Sequence, residues 1–557
     1  MTIFYVVDLK KLFKELWVKI VYSGLFVRVL IILACDLFFW DLGFVLGVNM
    51  WIAYDFNSRL FFSVGFLVTS SIILFSFWYI AEDVGIWKFV FFILFFLGFM
   101  FFLTFSGGVF TLLVGWEGVR IMSYLLISWW RGRGEASSSA LIAIIYNRVR
   151  DFGLYLAFFC MLFVFYSRIF STGLWGFLFF EGVSSFICLM FLIAVVAKSS
   201  QFFFHPWLPS AMEGPTPVSS LLHSSTIVVA GVFLIIRLSD LNTPFVDSLV
   251  TLVGGLTMLF GALSALGQSD VKKVVAYSTT SQLGLIMCSV GLGYPLLAFF
   301  HICIHAFFKA MIFLTSGFFI HYKRVNQDLR LLDKGGTKFS YLCFVVGSLS
   351  LRGAPFLTGY FSKDLILENM YSGVGNRFIV LILLVASVFT VAYSFRSILF
   401  MDVVSPFIPK LGDIERSGGF YFLLRLIFFS VVRGYLRIFF FKNFQESYLP
   451  TIVKLVPLTF ILVSLIFLSM RIRLGSVILS YNPLVHRIWI NLVYKAMHII
   501  YVLEFYTIEL FFSKLFSFFR RGFSFFSSSL SGSGRLRVYF SVRLIAVILI
   551  LRISLLY

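Results

Sequence analysis

The chain has 557 residues, of which 60% are hydrophobic and 13% charged, and its mean hydropathy is +1.00. A soluble globular chain carries about 25% charged residues, so this composition excludes a soluble protein and indicates one embedded in a membrane. The net charge of +20 does not indicate nucleic-acid binding. Lys and Arg lie mainly in short connections and at helix ends, as in multi-span membrane proteins, and no basic patch interleaved with aromatic residues occurs.

Long apolar runs follow one another along the chain, and a helix of roughly 20 residues crosses a bilayer. The runs are apolar on all sides, which favours helices over the alternating strands of a membrane barrel. We therefore predict an all-α polytopic membrane protein with about 15 transmembrane helices. The runs lie at residues 25–50, 59–80, 88–107, 109–130, 138–166, 175–200, 216–238, 246–267, 273–292, 295–320, 338–351, 355–372, 376–400, 418–441, 450–470 and 536–556.

Two segments depart from this pattern. Residues 1–22 are too charged for a typical span and fit an interfacial amphipathic helix or a targeting segment. Residues 484–527 carry charged or polar side chains throughout and contain no Gly or Pro before Gly522. This pattern favours a long lateral helix, along the membrane or along neighbouring subunits, over two poor spans joined by a turn.

The six cysteines are scattered, and the sequence contains no CxxC motif and no Cys/His cluster with metal-ligand spacing. It also lacks a GxGxxG motif after a strand and a Walker motif. We therefore expect no iron–sulfur, haem or nucleotide site in this chain.

Ionisable residues interrupt several of the apolar runs. A charge at the bilayer centre costs about 2.5–3.5 kcal/mol, so such residues usually pair inside a helix bundle and mark an ion path. They are Glu117, Lys198, His223, His301, His305, Lys309, Lys363 and Asp364.

Three of these residues recur every fourth position in "HICIHAFFKAMIF". On a helix, successive members lag by about 40°, so His301, His305 and Lys309 share one stripe. We favour a proton relay along this stripe, because Lys309 also lies there. Histidines that merely fill the bundle and a metal site remain alternatives, although no acidic third ligand is near in sequence.

Glu117 lies in the middle of the apolar run "LLVGWEGVRIMSYLL". A carboxylate beside a buried lysine favours the charged lysine, so movement of Glu117 relative to Lys198 would load or unload a proton. The alternative is a static buried ion pair, which is rarely better than an apolar substitute.

Gly and Pro residues lie beside two of the lysines. Lys198 is followed by "HPWLPSAMEGPTPVS", and Lys363 is preceded by "LRGAPFLTGY". Such interruptions predict discontinuous helices that line a cavity near the membrane midplane. We expect two half-channels, around Lys198 and Lys363, with the histidine stripe between them.

Six motifs carry a family resemblance. They are "GWEGVRIMSYLLISWWRGR", "YNRVRDFG", "AKSSQFFFHPWLPSAMEGPTPVSSLLHSST", "DVKKVVAYSTTSQLG", "HICIHAFFKAMIFLTSG" and "PFLTGYFSKDLILEN". In order and spacing they closely resemble the subunit 5 family of mitochondrial NADH dehydrogenase, the distal antiporter-like subunits of respiratory complex I. The match covers about residues 54–400.

The resemblance implies roles for the same buried residues. It makes Glu117 and Lys198 a coupled pair, and it makes His223 the link from Lys198 toward the centre. The central relay is then formed by His301, His305 and Lys309. The terminal lysine is Lys363, with Asp364 beside it. The supporting charges are Arg148, Asp151 and Asp270.

The chain departs from the family pattern at several positions. Arg120 and Arg150 stand where the family usually has glycine, and Arg352 replaces a small residue. Arg120 is three residues from Glu117 on the same helix face, so it can pair with Glu117 and weaken the hold on Lys198. The family's proline at position 203 is displaced to Pro206 here, so the break near Lys198 can be displaced too.

The resemblance also implies an architecture of two antiporter-like inverted repeats containing broken helices. The regions we expect are an N-terminal segment with one or two spans at 1–53, a proton-translocating core at 54–400, additional spans at 401–482, the lateral helix at 483–530 and an anchoring span at 531–557.

By this resemblance the chain is a mitochondrial inner-membrane subunit that translocates protons, while NADH, FMN, iron–sulfur clusters and ubiquinone are handled by other subunits. Its implied partners are other membrane subunits, especially NADH dehydrogenase subunits 4 and 2 along the lateral helix, together with accessory subunits and lipids such as cardiolipin. A subunit of a multi-subunit cation/proton antiporter and a non-pumping membrane anchor are the competing interpretations.

Overall fold

The computed structural model describes residues 39–432 except 46–47, 54, 82, 84, 131, 170–180, 225, 240–241, 323–326, 332–337, 373–376 and 402–420. The strands are β1 (Phe39–Val45) and β2 (Val48–Ala53). The helices are α1 (Phe56–Tyr79), α2 (Ile86–Thr104), α3 (Val109–Ile127), α4 (Gly134–Ile169), α5 (Glu181–Lys198), α6 (Trp207–Ser210), α7 (Thr216–Ser224), α8 (Ile227–Arg237), α9 (Pro244–Gly267), α10 (Val271–Gly291), α11 (Pro295–Tyr322), α12 (Lys338–Arg352), α13 (Thr358–Ser372), α14 (Arg377–Met401) and α15 (Tyr421–Val432). The predicted lateral helix and the anchoring span lie outside the described residues.

The helices coincide with the predicted apolar runs to within a few residues. In the described part of the chain, seven segments are long and apolar enough to cross a membrane by length and composition. They are α1, α2, α3, α7 together with α8, α9, α11 and α14, and shorter apolar helices cover residues 185–198, 339–352 and 422–431. The prediction of a helical multi-pass membrane protein is therefore confirmed.

The first predicted span differs from the structure. Within the run 25–50, residues Phe39–Val45 form a strand that pairs antiparallel with Val48–Ala53, with an irregular register between Asp41 and Phe44. The all-α prediction is therefore wrong over this hairpin. Aromatic and β-branched residues favour strands, and a short apolar run does not by itself distinguish a strand from a helix.

A salt bridge fastens the segment that follows the hairpin to the helices. Arg237, at the end of α8, lies 2.5 Å from the Asp55 carboxylate. The same guanidinium donates to the backbone oxygen of Ser106, at 2.8 Å. Three segments distant in sequence are thereby held together just before α1 begins.

Helix α11 occupies the centre of the described bundle. It packs against α1, α7, α8, α10, α12, α13 and α15. In its most apolar stretch of 18 residues, 94% of the residues are buried inside the protein. Polar side chains on this helix are consequently surrounded by protein and not by lipid.

Interrupted helices occur where the sequence predicts them. Helix α5 ends at Lys198, and α12 ends at Arg352 before α13 begins at Thr358. Gly353 adopts a φ of +87°, a conformation that glycine accepts without steric cost. A third interruption, between Ser224 and Ile227, separates α7 from α8. No Gly or Pro lies there that would predict it from the sequence.

Candidate functional site

Lys198 is the last residue of α5, and the chain after it does not continue as a helix. Ser200 and Phe203 adopt φ values of +50° and +73°, which non-glycine residues rarely do unless surrounding structure enforces it. The Trp207 indole donates to the Ala197 carbonyl at 3.2 Å. The carboxyl end of a helix favours a cation, so the break places Lys198 where its positive charge is stabilised.

The Lys198 side chain is fully buried against an aromatic ring. Its Nζ lies 3.3 Å from the centroid of the Trp116 ring, and its exposed fraction is 0%. No side chain or carbonyl in the described part of the chain accepts a hydrogen bond from this ammonium. A desolvated cation over an indole gains about 2 kcal/mol, so Trp116 is the group that stabilises charge on Lys198.

Glu117 has partners other than Lys198. Its carboxylate lies 2.5 Å from Arg120 and accepts a hydrogen bond from the Tyr155 hydroxyl at 2.9 Å. Among the described residues no ion pair joins Glu117 to Lys198. The pair between Glu117 and Arg120, which the i,i+3 spacing predicts, is present, whereas the coupling of Glu117 to Lys198 remains a prediction.

The two unexpected arginines meet at one carboxylate. Asp151 lies 2.5 Å from Arg120 through Oδ2 and 3.0 Å from Arg150 through Oδ1. Asp151 and Arg150 are 2% and 1% exposed, so neither charge is solvated. The guanidinium of Arg150 also lies 5.0 Å from the Trp116 ring centroid. Two carboxylates thus balance two guanidiniums beside Lys198.

Two of the predicted supporting charges lie elsewhere. The Arg148 side chain is exposed. Asp270 is the residue before α10 and pairs with Lys273 at 3.0 Å, where both side chains are partly exposed. Of the supporting charges, Asp151 therefore joins the cluster around Lys198, whereas Arg148 and Asp270 lie in more solvent-accessible surroundings.

The His301, His305 and Lys309 stripe is buried in the centre of the bundle, with exposed fractions of 1%, 0% and 0%. Lys309 donates to the Ser278 hydroxyl of α10. The rings of His301 and His305 have centroids 6.3 Å apart, so one small bridging molecule can connect them. All three residues lie on α11 and are buried, as the four-residue spacing predicts.

His223 connects the first interrupted segment to this stripe. It lies in the last turn of α7 with an exposed fraction of 0%, and it interacts electrostatically with Lys309. Neither of its ring nitrogens has a protein partner among the described residues. Buried polar groups without protein partners are usually hydrated, so water is expected beside His223, near Lys309.

Lys363 lies in the second turn of α13 and is 4% exposed. Its Nζ donates to Thr390 Oγ1 at 2.9 Å and to the Arg352 carbonyl at 3.4 Å. The neighbouring residue Ser362 lies 2.8 Å from His301 Nδ1 through its hydroxyl. The stripe on α11 is therefore joined to the second interrupted helix by a direct hydrogen bond.

Asp364 is partly buried beside Lys363 and near Tyr360 and Glu368. The turn that carries these residues is held close to α12, because a Cβ added at Gly359 would lie 1.7 Å from the Ser350 carbonyl oxygen. Only glycine fits there, and this close contact fixes the position of the Lys363 turn.

The family comparison extends across this whole arrangement. The family described as NADH:quinone oxidoreductase/Mrp antiporter, transmembrane, matches residues 106–390. This range contains every buried ionisable residue described above.

The chain belongs to the NADH:quinone oxidoreductase/Mrp antiporter family.

The chain is similar to curated proteins that are named NADH-ubiquinone oxidoreductase chain 5. It is 47% identical to the protein of that name from Mus musculus over 390 residues, 68% of this chain and 63% of the relative. It is 45% identical to the Branchiostoma lanceolatum protein over 424 residues, 73% of this chain and 69% of the relative. It is 44% identical to the Paracentrotus lividus protein over 435 residues, which cover 74% of this chain and 66% of the relative. The chain thus spans 63% and 66% of the length of the mouse and sea-urchin relatives.

Solved structures of related complexes share the fold. A chain of the Mrp complex from Dietzia sp. DQ12-45-1b superposes with a TM-score of 0.73 at 21% identity, covering 95% of this chain and 62% of that one. A chain of the membrane-bound sulfane sulfur reductase, an archaeal respiratory membrane complex, gives a TM-score of 0.61 at 20% identity, with coverage of 77% and 86%. At these identities the likeness describes the antiporter-like fold alone.

Within the described residues of this NADH:quinone oxidoreductase/Mrp antiporter chain, no group of three or more His, Cys, Asp or Glu side chains is arranged to hold a metal ion. His301 uses its Nδ1 atom in a hydrogen bond with the Ser362 hydroxyl. The relay, histidines that fill the bundle and a metal site all remain interpretations of the stripe.

Sequence reasoning missed the neutral partners of the relay residues. Trp116, Ser278, Ser362 and Thr390 each contact a buried lysine or histidine. Trp116 and Ser362 are adjacent in sequence to predicted site residues, which is a usable signal. Ser278 and Thr390 lie on other helices, and only the packing brings them to Lys309 and Lys363.

Proposed function

We propose that this chain is a core membrane subunit of mitochondrial respiratory complex I and that it translocates protons across the inner membrane. NADH oxidation and ubiquinone reduction take place in other subunits. The proposal rests on membership of the family and on the names of the curated relatives, and the two interrupted helices belong, in this proposal, to two inverted repeats.

The observation that carries the proposal is a series of buried ionisable side chains that water molecules would join. It begins at Lys198 and continues through His223, Lys309 and the two stripe histidines to Lys363. Such residues are costly inside a membrane and are retained where they serve an ion path. Their burial in the protein interior, with hydrogen bonds to Ser278 and Ser362 at two points, supports transfer along the series.

Each member of the series has a role in this scheme. Lys198 holds a proton while Trp116 stabilises its ammonium, and rearrangement of the Glu117 cluster changes how strongly that proton is held. His223 passes the proton to Lys309 through water. His305 and His301 then carry it to Ser362 and Lys363, since an imidazole accepts on one nitrogen and donates from the other.

The partners follow from the same proposal. NADH dehydrogenase subunits 4 and 2, accessory subunits and lipids such as cardiolipin surround the chain, with the segment 483–530 lying along the neighbouring subunits. FMN, iron–sulfur clusters, NADH and ubiquinone belong to other subunits, and this chain contributes no redox centre.

The proposal is tested with the purified complex in sealed liposomes. Replacing Lys363 by alanine should lower the number of protons translocated per NADH oxidised, because the series loses its terminal acceptor. Exchange of the exposed Lys88 for alanine is the matched control and should leave the ratio unchanged. An unchanged ratio in Lys363→Ala would favour a non-pumping membrane anchor.

A cation/proton antiporter subunit is the second candidate, because the family matched over residues 106–390 includes Mrp antiporters as well as NADH:quinone oxidoreductases. Co-purification decides between them. Recovery of the tagged chain with flavin and iron–sulfur subunits supports complex I, and recovery with antiporter subunits alone supports the second candidate.

A further inference from the structure

Helix α14 carries a polar stripe that the series above uses at one point only. Its membrane-length segment Phe378–Met401 has a hydropathy of 2.5, yet hydroxyl side chains recur along one side of it. All are at least 90% buried, and they are Ser387, Thr390, Tyr393, Ser394 and Ser397. Polar side chains within a membrane span usually face the bundle interior or a water-filled cavity, where they can take part in an ion path.

Tyr393 lies at the centre of this stripe and is 2% exposed. Its hydroxyl is 3.4 Å from Ser281 Oγ on α10, and the side chains of Ser278 and Gln282 on the same helix also face it. Ser278 is also the group that accepts the hydrogen bond from Lys309. Tyr393 is therefore separated from the central lysine by a single hydroxyl.

The same helix reaches the terminal lysine one turn earlier. Thr390, three residues before Tyr393, accepts the hydrogen bond from Lys363 at 2.9 Å. Residues three apart on a helix lie on one face with about 4.5 Å of rise between them. Tyr393 and Thr390 therefore connect the surroundings of Lys309 with those of Lys363 without using the histidines.

The space around Tyr393 is polar enough to hold water. Neither amide atom of Gln282 has a protein partner among the described residues, and its exposed fraction is 0%. Arg352 also faces Tyr393 and donates to Ser394 at 2.8 Å. A buried water needs two to four polar partners, and these side chains supply them.

We propose that Tyr393 relays protons between Lys309 and Lys363 along a second route that runs beside the histidine stripe. This inference rests on the proposed function, because it concerns the same two lysines. The route is Lys309, Ser278, Tyr393, bridging water and Lys363, and Thr390 orients the Lys363 amine.

The transfer conserves every atom. The Lys309 ammonium gives one proton to the Ser278 oxygen, while Ser278 gives its own hydroxyl proton to the Tyr393 oxygen. Tyr393 releases its phenolic proton to water, and water releases one to the Lys363 amine. One proton has then moved from Lys309 to Lys363, and each hydroxyl is restored.

Tyr393→Phe tests the inference, because it removes one oxygen and keeps the ring. The measured quantity is the Lys309-dependent translocation, which is the number of protons per NADH in the unaltered complex minus the number in Lys309→Met. If the two routes carry comparable flux, Tyr393→Phe should reduce the Lys309-dependent translocation about twofold. The double variant with His305→Phe should lose nearly all of it. Tyr146→Phe, which removes a buried hydroxyl on α4, is the matched control and should leave it intact.

The outcomes separate this inference from the function beneath it. If Lys309→Met leaves translocation unchanged, the proposed function fails. If Lys309→Met reduces it but Tyr393→Phe does not, or if the double variant equals His305→Phe alone, the second route is overturned. Should Tyr393→Phe fail to assemble, Ser278→Ala tests the same route, because it removes the hydroxyl between Lys309 and Tyr393, and full translocation in that variant overturns it.

Discussion

Arg120 on α3 donates to Asp151 on α4, with 2.5 Å between Nη1 and Oδ2. The same guanidinium holds Glu117 through its other terminal nitrogen. Glu117 is therefore occupied by a fixed cation, and it is free to approach Lys198 only after it separates from Arg120. In the proposed coupling of Glu117 to Lys198, Arg120 therefore competes with the lysine for the carboxylate.

Replacing Arg120 by glycine should change proton translocation. Glu117, whose side chain is 23% exposed, then keeps the hydrogen bond from Tyr155 and loses Arg120 as its counter-charge, so it can act more strongly on Lys198. We expect the number of protons moved per NADH to differ from that of the unaltered complex in liposomes. Arg133→Gly, at a partly exposed position outside the cluster, is the control, and equal ratios in all three proteins would contradict this role of Arg120.

Replacing Asp151 by asparagine should strongly lower the thermal stability of the protein. Arg120 and Arg150 would lose their shared carboxylate, and removing one partner of a buried ion pair typically costs about 3–5 kcal/mol. Asp270→Asn removes a partly exposed partner and should cost about 0–1 kcal/mol. The midpoint of thermal inactivation of the purified complex measures both. A midpoint in Asp151→Asn that is no lower than in Asp270→Asn would argue against a buried, shared carboxylate.

The contact between Lys198 and Trp116 predicts an order of effects. Trp116→Leu removes the aromatic face and should lower thermal stability and proton translocation more than Trp116→Phe, which keeps a ring. A desolvated cation–π contact contributes about 2 kcal/mol. Trp87→Leu, at a position 41% exposed, is the control and should shift stability by less than about 0.5 kcal/mol. Equal effects of Leu and Phe at position 116 would point to volume alone.

The turn before Lys363 predicts a steric effect. A methyl group at Gly359 would lie 1.7 Å from the Ser350 carbonyl oxygen, so Gly359→Ala must push α13 away from α12. We expect loss of assembled complex on native gels. At Gly65, on α1, nothing lies within 4 Å of the added carbon, and Gly65→Ala should be neutral or stabilise by up to about 1 kcal/mol. Normal assembly of Gly359→Ala would contradict the close packing of this turn.

Much of the fold is predictable from the sequence because hydropathy and Gly/Pro positions act locally. The run 295–320 predicts α11, and four-residue spacing places His301, His305 and Lys309 on one face. The two interruptions beside Lys198 and Lys363 also follow from the prolines and glycines around them.

The rest depends on contacts between distant segments. The strands Phe39–Val45 and Val48–Ala53 overlap the apolar run 25–50, and apolar content alone predicts a membrane span there. The ion pair of Glu117 with Arg120 follows from their i,i+3 spacing, whereas the Tyr155 hydroxyl reaches that carboxylate only because α4 packs on α3. Likewise Thr390 belongs to another helix than Lys363, and no spacing rule relates the two residues.

A density map of the assembled enzyme that resolves ordered water tests the central claim most directly. The account predicts waters that join Lys198 to His223, His223 to Lys309, and Tyr393 to Lys363. Apolar side chains filling those three gaps, or any of these groups facing lipid acyl chains, would contradict it.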